Sequence, residues 1–273
     1  MYDNIKLICP ICADALSFNE KSLICKNGHC FDIARQGYAN LLPVQNKHSL
    51  TPGDTKLMLQ SRRNFLNEDF YEPVCSALCE IVKKYSSTNA ILADIGCGEG
   101  YYTTQLKKRC GCACAGFDIS KEAAKMACSR SREILWAVAT AAHIPMKSES
   151  ADIVTAVFSL FVNDEYARIL KPGGIFIEAT AGSDHLRELK ELIYDEVFEQ
   201  NKKPSDYGKQ FVELEQYEKR FSFTTDHKQL CDLLMMTPHA HRIKAKNSGA
   251  LDKVEKLCVT ADIIIRVLKK IGG

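Results

Sequence analysis

Asp94-Ile95-Gly96-Cys97-Gly98-Glu99-Gly100 ends an apolar run that begins at Ala90 and leads into a stretch with helical patterning, Tyr102–Arg109. A strand, a glycine turn and a helix in that order form a ligand-binding corner. Gly96 and Gly98 permit a tight turn with close backbone approach, and the helix start offers free N–H donors. The spacing then discriminates between ligands. A dinucleotide fingerprint reads Gly-x-Gly-x-x-Gly, whereas here the third glycine, Gly100, comes one residue early and an acid, Asp94, precedes the turn.

Asp/Glu-x-Gly-x-Gly-x-Gly resembles the first motif of the class I S-adenosylmethionine-dependent methyltransferases. A second feature of that class is an acid at the end of the next strand, where one carboxylate can accept both ribose hydroxyls. Asp118 in Gly116-Phe-Asp-Ile-Ser120 occupies this position. Lys171-Pro-Gly-Gly174, a tight turn before a late strand, is a third match. Asp94, Gly96, Gly98 and Asp118 are therefore expected at the cofactor. Two departures stand out. Val138-Ala-Thr-Ala-Ala-His143 lacks the carboxylate that often holds the adenine amino group, so adenine contact is expected to rely on backbone atoms. Phe158-Ser-Leu-Phe-Val-Asn163 replaces the Asn/Asp-Pro-Pro-Tyr/Phe cluster of amino-group methyltransferases, which disfavours an exocyclic adenine amine as acceptor.

Outward from the glycine turn, Ala90–Ile95, Cys112–Phe117, Ile134–Ala137, Ile153–Phe158 and Gly174–Ala179 are short apolar runs, with helical patterning at Tyr102–Arg109 and Lys121–Ser129 between them. This is the rhythm of a parallel sheet covered by helices. Leu186–Phe198 and Asp226–Met236 read as further helices around a polar loop at Gln200–Lys209, and a final strand closes the chain. The fold class is α/β: a class I Rossmann-like methyltransferase domain over residues 86–273, preceded by a small N-terminal zinc-ribbon-like module. Thr55–Tyr85 reads as helical with a break near Asn67–Pro73, and 43–54, with two prolines and a glycine, as a linker. The organisation expected is 1–42 module, 43–85 linker and helical connector, 86–273 catalytic domain.

In the module, Cys9-Pro-Ile-Cys12 and Cys25-Lys-Asn-Gly-His29 bring four soft or borderline ligands into two turns, which suits a tetrahedral zinc ion; Cys30 is an alternative fourth ligand. No open position or nearby carboxylate suggests a catalytic metal, so one structural zinc per chain is expected, holding a module too small for its own core. The thirteen cysteines are otherwise read as reduced thiols. Cys110-Gly-Cys-Ala-Cys114 leads into a strand and Cys75 and Cys79 lie one helical turn apart, so these are expected as buried thiols.

The formal charge of +2 does not advertise nucleic-acid binding, but residues 1–63 carry eight Lys/Arg against five acids. No apolar run is long enough to span a bilayer and no leader pattern opens the chain, so the expectation is a cytoplasmic protein with no membrane partner.

Read continuously, Cys9…Cys12…Cys25-Lys-Asn-Gly-His29-Cys-Phe-Asp-Ile-Ala-Arg-Gln-Gly-Tyr-Ala-Asn-Leu-Leu-Pro-Val-Gln45 resembles the N-terminal half of the bacterial 23S rRNA guanine-N1 methyltransferases. The resemblance continues through Pro52-Gly-Asp54, Arg62-Arg63, Tyr71, the glycine turn with Tyr101-Tyr-Thr103, Ala179-Thr, His185-Leu, Ile193-Tyr and Met236-Thr-Pro238. It implies Cys9, Cys12, Cys25 and His29 as zinc ligands, leaving Cys30 aside, and Tyr71, Gly98, Glu99 and His185 as contacts of S-adenosyl-L-methionine. It implies methylation of N1 of a guanine in a 23S rRNA hairpin, with the zinc module and Arg62 and Arg63 holding phosphates, and a homodimer among the arrangements of the family. Guanine N1 carries a proton that must leave, and Asn163, Asp164 and His185 are candidates by position to take it. A zinc-containing methyltransferase of a small molecule and a non-catalytic RNA-binding protein are the competing readings.

Overall fold

The computed structural model describes residues 4–46, 52–195, 205–241 and 249–272. Leu16–Asn19 (β1), Ser22–Cys25 (β2) and Cys30–Asp32 (β3) form an antiparallel three-stranded ribbon, and Tyr38–Asn40 (β4) follows. The connector is Lys56–Leu66 (α1) and Glu72–Tyr85 (α2). Thr55 caps α1 by accepting from Met58 N, and Pro73 sits in the first turn of α2, which is why the helical pattern breaks between them. Of the linker, residues 47–51 lie outside the described residues.

Ile91–Ile95 (β5), Tyr101–Cys110 (α3), Ala113–Asp118 (β6), Lys121–Arg130 (α4), Leu135–Val138 (β7), Ala151–Val157 (β8), Asn163–Ile169 (α5) and Leu170–Ala181 (β9) build the parallel part of the sheet. Arg187–Ile193 (α6), Phe211–Asp226 (β10), His227–Met235 (α7) and Lys256–Lys270 (β11) complete it. The strand order is β10-β11-β9-β8-β5-β6-β7-β4, with only β11 antiparallel to its two neighbours. Chain order reverses between β5 and β8, the switch point at which ligands bind open α/β sheets. Lys171–Gly174 bulges out of the β8–β9 ladder, where Ala151 faces Leu170 but Ile153 already faces Ile175.

Alternate strand residues separate two cores. Leu92, Cys114, Trp136, Ile153, Ile177 and Ile265 share a cluster with Phe65, Leu78, Leu106, Ala127, Leu189 and Leu233 of the helices α1–α4, α6 and α7. Ala93, Phe117, Ala137, Val154 and Phe176 face the other way, onto Tyr166 of α5 and onto Ile5, Leu7, Leu23 and Leu41 of the N-terminal segment. The connection from β7 to β8 has no helix. The ribbon covers that sheet face instead, its approach stitched by Ile8 N to Pro145 O (3.0 Å) and Lys147 N to Lys6 O (2.9 Å). Within 1–42, Tyr38–Asn40 pairs in parallel with β7 and is itself an edge of the main sheet.

Cys75, Cys79, Cys112 and Cys114 are buried free thiols, as read. The strand Phe211–Asp226 was not anticipated, and the helix expected over Leu186–Phe198 is described only as Arg187–Ile193, with 196–204 outside the described residues. Among the described residues no helix is long and apolar enough to cross a membrane.

Packing at the sheet centre sets a first expectation. A Cβ on Gly116 would stand 2.3 Å from the buried Trp136 ring, whose indole N–H is fixed on Ser131 O at 2.8 Å. Gly116→Ala is expected to destabilise by about 1–3 kcal/mol, the usual cost of over-packing, read as a lower urea midpoint at unchanged slope.

Candidate active site and metal centre

The glycine turn closes through Gly96 N and Cys97 N, which donate to Phe117 O on β6 at 2.8 and 3.1 Å. Gly96 and Gly98 hold φ of 73° and 56°, where side chains are strained. A Cβ on Gly96 would lie 1.9 Å from Ser159 Oγ, so the segment after β8 presses directly on the turn. Asp118, at the end of β6, accepts from Gly98 N through Oδ2 and from Ser120 N through Oδ1, both at 2.8 Å. Burial pushes its carboxyl pKa up. Each oxygen has one backbone donor and retains acceptor capacity, which fits the recognition of a pair of hydroxyls.

The other two acids expected at the cofactor are engaged elsewhere. Asp94 is 2% exposed and accepts from Thr103 of α3 and from Thr155 of β8, the latter at 2.8 Å. Burial raises its pKa to about 6. Glu99 is 1% exposed and binds Arg63 Nε (2.9 Å) and both Nε and a terminal nitrogen of Arg130. Asp94 and Glu99 line the cavity wall, but their carboxylates fasten helices to the turn.

Gly96, Gly98, Asp118, Tyr71 and His185 all border one cavity of about 730 Å³ at the switch point, within the roughly 300–1,000 Å³ usual for ligand sites. Ala139, Thr140, Ala141 and Ala142 line the end beyond Asp118, with no carboxylate among them, as read. Tyr71 is buried between Phe65, Phe221 and Phe223, and its hydroxyl lies 3.4 Å from His185 Nε2. His185 Nδ1 accepts from Asp262 N at 3.3 Å. That bond assigns the ring proton to Nε2 in the neutral imidazole. The loop carrying His185 is stapled to β11 by Gly182 N to Asp262 O and Leu186 N to Thr260 O, both 2.8 Å.

Of the three proton-acceptor candidates, only His185 borders the cavity. Asp164 accepts from Gln210 and Asn163 lies against Gly208, both away from the turn. Arg62 and Arg63 are likewise corrected as phosphate holders: Arg62 binds Asp54 and Met236 O, and Arg63 binds Glu99, Ser129 and Met126 O. Arg63 turns towards the glycine turn, where the buried Glu99 attracts it, and Arg62 pairs with the half-buried Asp54 just ahead of α1. Sequence reading assigned no role to Asp54, Phe158 or Asp262. Asp54 had a signal in Pro52-Gly-Asp54, whereas Asp262, which holds the His185 loop through its backbone and through Oδ2 accepting from Asp184 N at 3.0 Å, lies in no motif.

In the ribbon, Cys9, Cys12, Cys25 and His29 bring one ligand atom each within 4.8 Å of one another. Cys12 Sγ to Cys25 Sγ is 3.7 Å, and His29 Nδ1 stands 3.5 Å from Cys9 Sγ and 3.3 Å from Cys25 Sγ. A tetrahedron with Zn–S near 2.3 Å and Zn–N near 2.0–2.1 Å has edges of about 3.5–3.8 Å. The set therefore fits zinc, with His29 ligating through Nδ1, and exposed Cys30 stands outside it. Ile11 N donates to Cys9 Sγ at 3.4 Å, the polar support a thiolate ligand wants.

Two measurements follow. The pKa of Asp94 in the fold exceeds its unfolded value of 3.8, so its contribution to stability is full below about pH 4 and is lost as pH rises through about 6. Stability of the wild type relative to Asp94→Asn should fall by roughly 2 kcal/mol between pH 4 and 7, measured by denaturant titration at each pH. Cys25→Ala should lower bound zinc from one per chain, by elemental analysis, and unfold at lower temperature because the ribbon covers a sheet face.

Comparison with known proteins gives two family models. That of the RlmA N-terminal zinc ribbon matches residues 7–50 and that of a methyltransferase domain matches residues 93–177. The Bacillus subtilis protein YxjB, provisionally named a 23S rRNA (guanine-N(1)-)-methyltransferase, is 28% identical over 277 residues, 95% of each chain. The Streptomyces fradiae 23S rRNA (guanine(748)-N(1))-methyltransferase is 33% identical over 192 residues, 68% of this chain and 67% of that one. Among solved structures, YcgJ from Bacillus subtilis aligns with a TM-score of 0.47 at 16% identity, covering 72% of this chain and 99% of that one. With the zinc ligands assembled and the glycine turn closed on Asp118, the chain belongs to the 23S rRNA (guanine-N1)-methyltransferase family.

Proposed function

We propose that this protein methylates N1 of a guanine in a 23S rRNA hairpin, using S-adenosyl-L-methionine. The observation that carries the reading is the relationship over two-thirds or more of its length to enzymes named for that reaction, in a chain with both the ribbon ligands and the cofactor turn. Neither competing reading, a small-molecule enzyme or a non-catalytic RNA binder, has support among these relatives.

Gly96 and Gly98 would let the cofactor approach the backbone of the turn and Asp118 would take its ribose hydroxyls, in a cavity that Tyr71 and His185 also line. The cofactor supplies an electrophilic methyl group on a sulfonium centre. The base must be turned out of its stack to reach this depth, because N1 is buried in a duplex. The N1–carbon bond would form as the methyl carbon–sulfur bond breaks, its electron pair staying on sulfur so that S-adenosylhomocysteine leaves, and the N1 proton is given up. With Nδ1 of His185 already accepting from Asp262 N, the ring is set to donate towards Tyr71, so His185 acts as a positioning group and the proton passes to another acceptor.

Recognition of the hairpin falls to the module at 1–42, where Lys6, Lys21 and Arg35 are exposed; Lys26 is also exposed and pairs with Asp14. Its contacts are with phosphates, so binding weakens with salt, by a slope of roughly 0.7–0.9 per phosphate neutralised. We infer also that the enzyme works in the cytoplasm and as a homodimer. The decisive test maps methylation of 23S rRNA by mass spectrometry in cells lacking the gene, complemented by wild type or by Gly98→Arg. Loss of one guanine-N1 mark, restored by wild type alone, is expected; persistence of every such mark would refute the function.

A further inference from the structure

Phe158 follows β8 at the mouth of the cavity and has a backbone φ of 52°. A bulky residue in the left-handed region is an outlier, and such strain survives only where the surroundings impose it. Here they do: Phe158 N is bonded to Ala179 O at 2.8 Å, and the next residue, Ser159, is pressed against Gly96. The strain turns an aromatic side chain outwards, 43% exposed, in a wall where burial would otherwise be favoured. One side of the ring is backed by the His185 imidazole in an offset stack, with centroids 5.8 Å apart and planes at 24°, and Tyr71 meets it edge-on at 6.2 Å. The small residues Ala181, Gly182 and Ser183 line the same cavity, as does Leu160, which is 70% exposed.

An aromatic ring held by its backbone, stacked on His185 and still 43% exposed, in the cavity that the glycine turn lines, suits a flat heterocycle. We propose that Phe158 is the platform on which the turned-out guanine stacks, bringing its N1 edge to the cofactor. The assignment rests on the function proposed above. Its energetic content is the loss of base–aromatic stacking, which on alanine substitution amounts to about 5–150-fold per base.

The full-length protein is tested with a transcript of the hairpin that carries the guanine identified by the mapping. Phe158→Ala is expected to lower kcat/KM for the RNA by that factor while the Kd for S-adenosylhomocysteine, by calorimetry, stays within about twofold of wild type. Phe158→Tyr should recover activity to within about threefold and Phe158→Leu should not, since stacking needs the ring. The Tyr/Leu pair decides the matter should the alanine variant fold poorly. Equal recovery by Leu, or a kcat/KM untouched by alanine in an enzyme that methylates guanine N1, overturns the platform alone. A cofactor Kd that weakens in step with activity also overturns it. Absence of any guanine-N1 product from wild type overturns the functional reading and takes the platform with it.

Discussion

Asp118 is the residue on which the site is hung. Its two oxygens accept from Gly98 N in the glycine turn and from Ser120 N at the start of α4, so one carboxylate ties together the ends of two successive strands and the helices that follow them. Charge-assisted bonds of this kind are about twice as strong as neutral ones. Burial raises the cost of its charge, and the two backbone donors offset that cost. Removing either donor would leave an ionised acid poorly satisfied in the cavity wall. The turn is therefore held in place by the acid proposed above to take the ribose hydroxyls.

The zinc ribbon has a second role that its small size conceals. A parallel sheet needs cover on both faces, yet the β7–β8 connection contributes no helix. Ile5, Leu7 and Leu23 supply apolar surface to Phe117, Ala137 and Met146, and Tyr38–Asn40 extends the sheet by a strand. The metal thus stabilises the catalytic sheet indirectly, by holding the shape of the element that seals it. Excising residues 1–42 would remove an edge strand and uncover a core face.

The parallel strands, the helices of the connector, the metal ligands and the cofactor turn were legible because each is a local pattern: an apolar run, a cap, a spacing. Phe211–Asp226 was not, since Glu213, Glu215, Glu218, Lys219 and Arg220 mask the alternation of Tyr217, Phe221 and Phe223. Such charge is what an edge strand carries to avoid pairing with other chains. The omission mattered, because Phe221 and Phe223 are what pack Tyr71 into place. For the site, the sequence identified the acids but not their partners. Asp94 and Glu99 carry the motif, yet their bonds to Thr155 and Arg130 span 61 and 31 residues of chain. The positioning of His185 by a backbone N–H has no side-chain signature at all.

The inward turn of Arg62 and Arg63 ties the connector to the cavity. Glu99 is buried, and an isolated buried carboxylate is costly unless paired and hydrogen-bonded. Arg63 from α1 and Arg130 from α4 neutralise it, Arg62 reaches Asp54 and Met236 O, and Tyr71 meets His185. Three side chains of one short helical segment thus bind three different walls of the cavity. The bonds from Arg62 to Met236 O, from Arg63 to Glu99 and between Tyr71 and His185 would weaken if the connector lifted, and lifting it would leave Glu99 with Arg130 as its remaining arginine. The connector is consequently fastened along the cavity by charged and polar contacts, while Phe158 and Leu160 stay exposed on its lining.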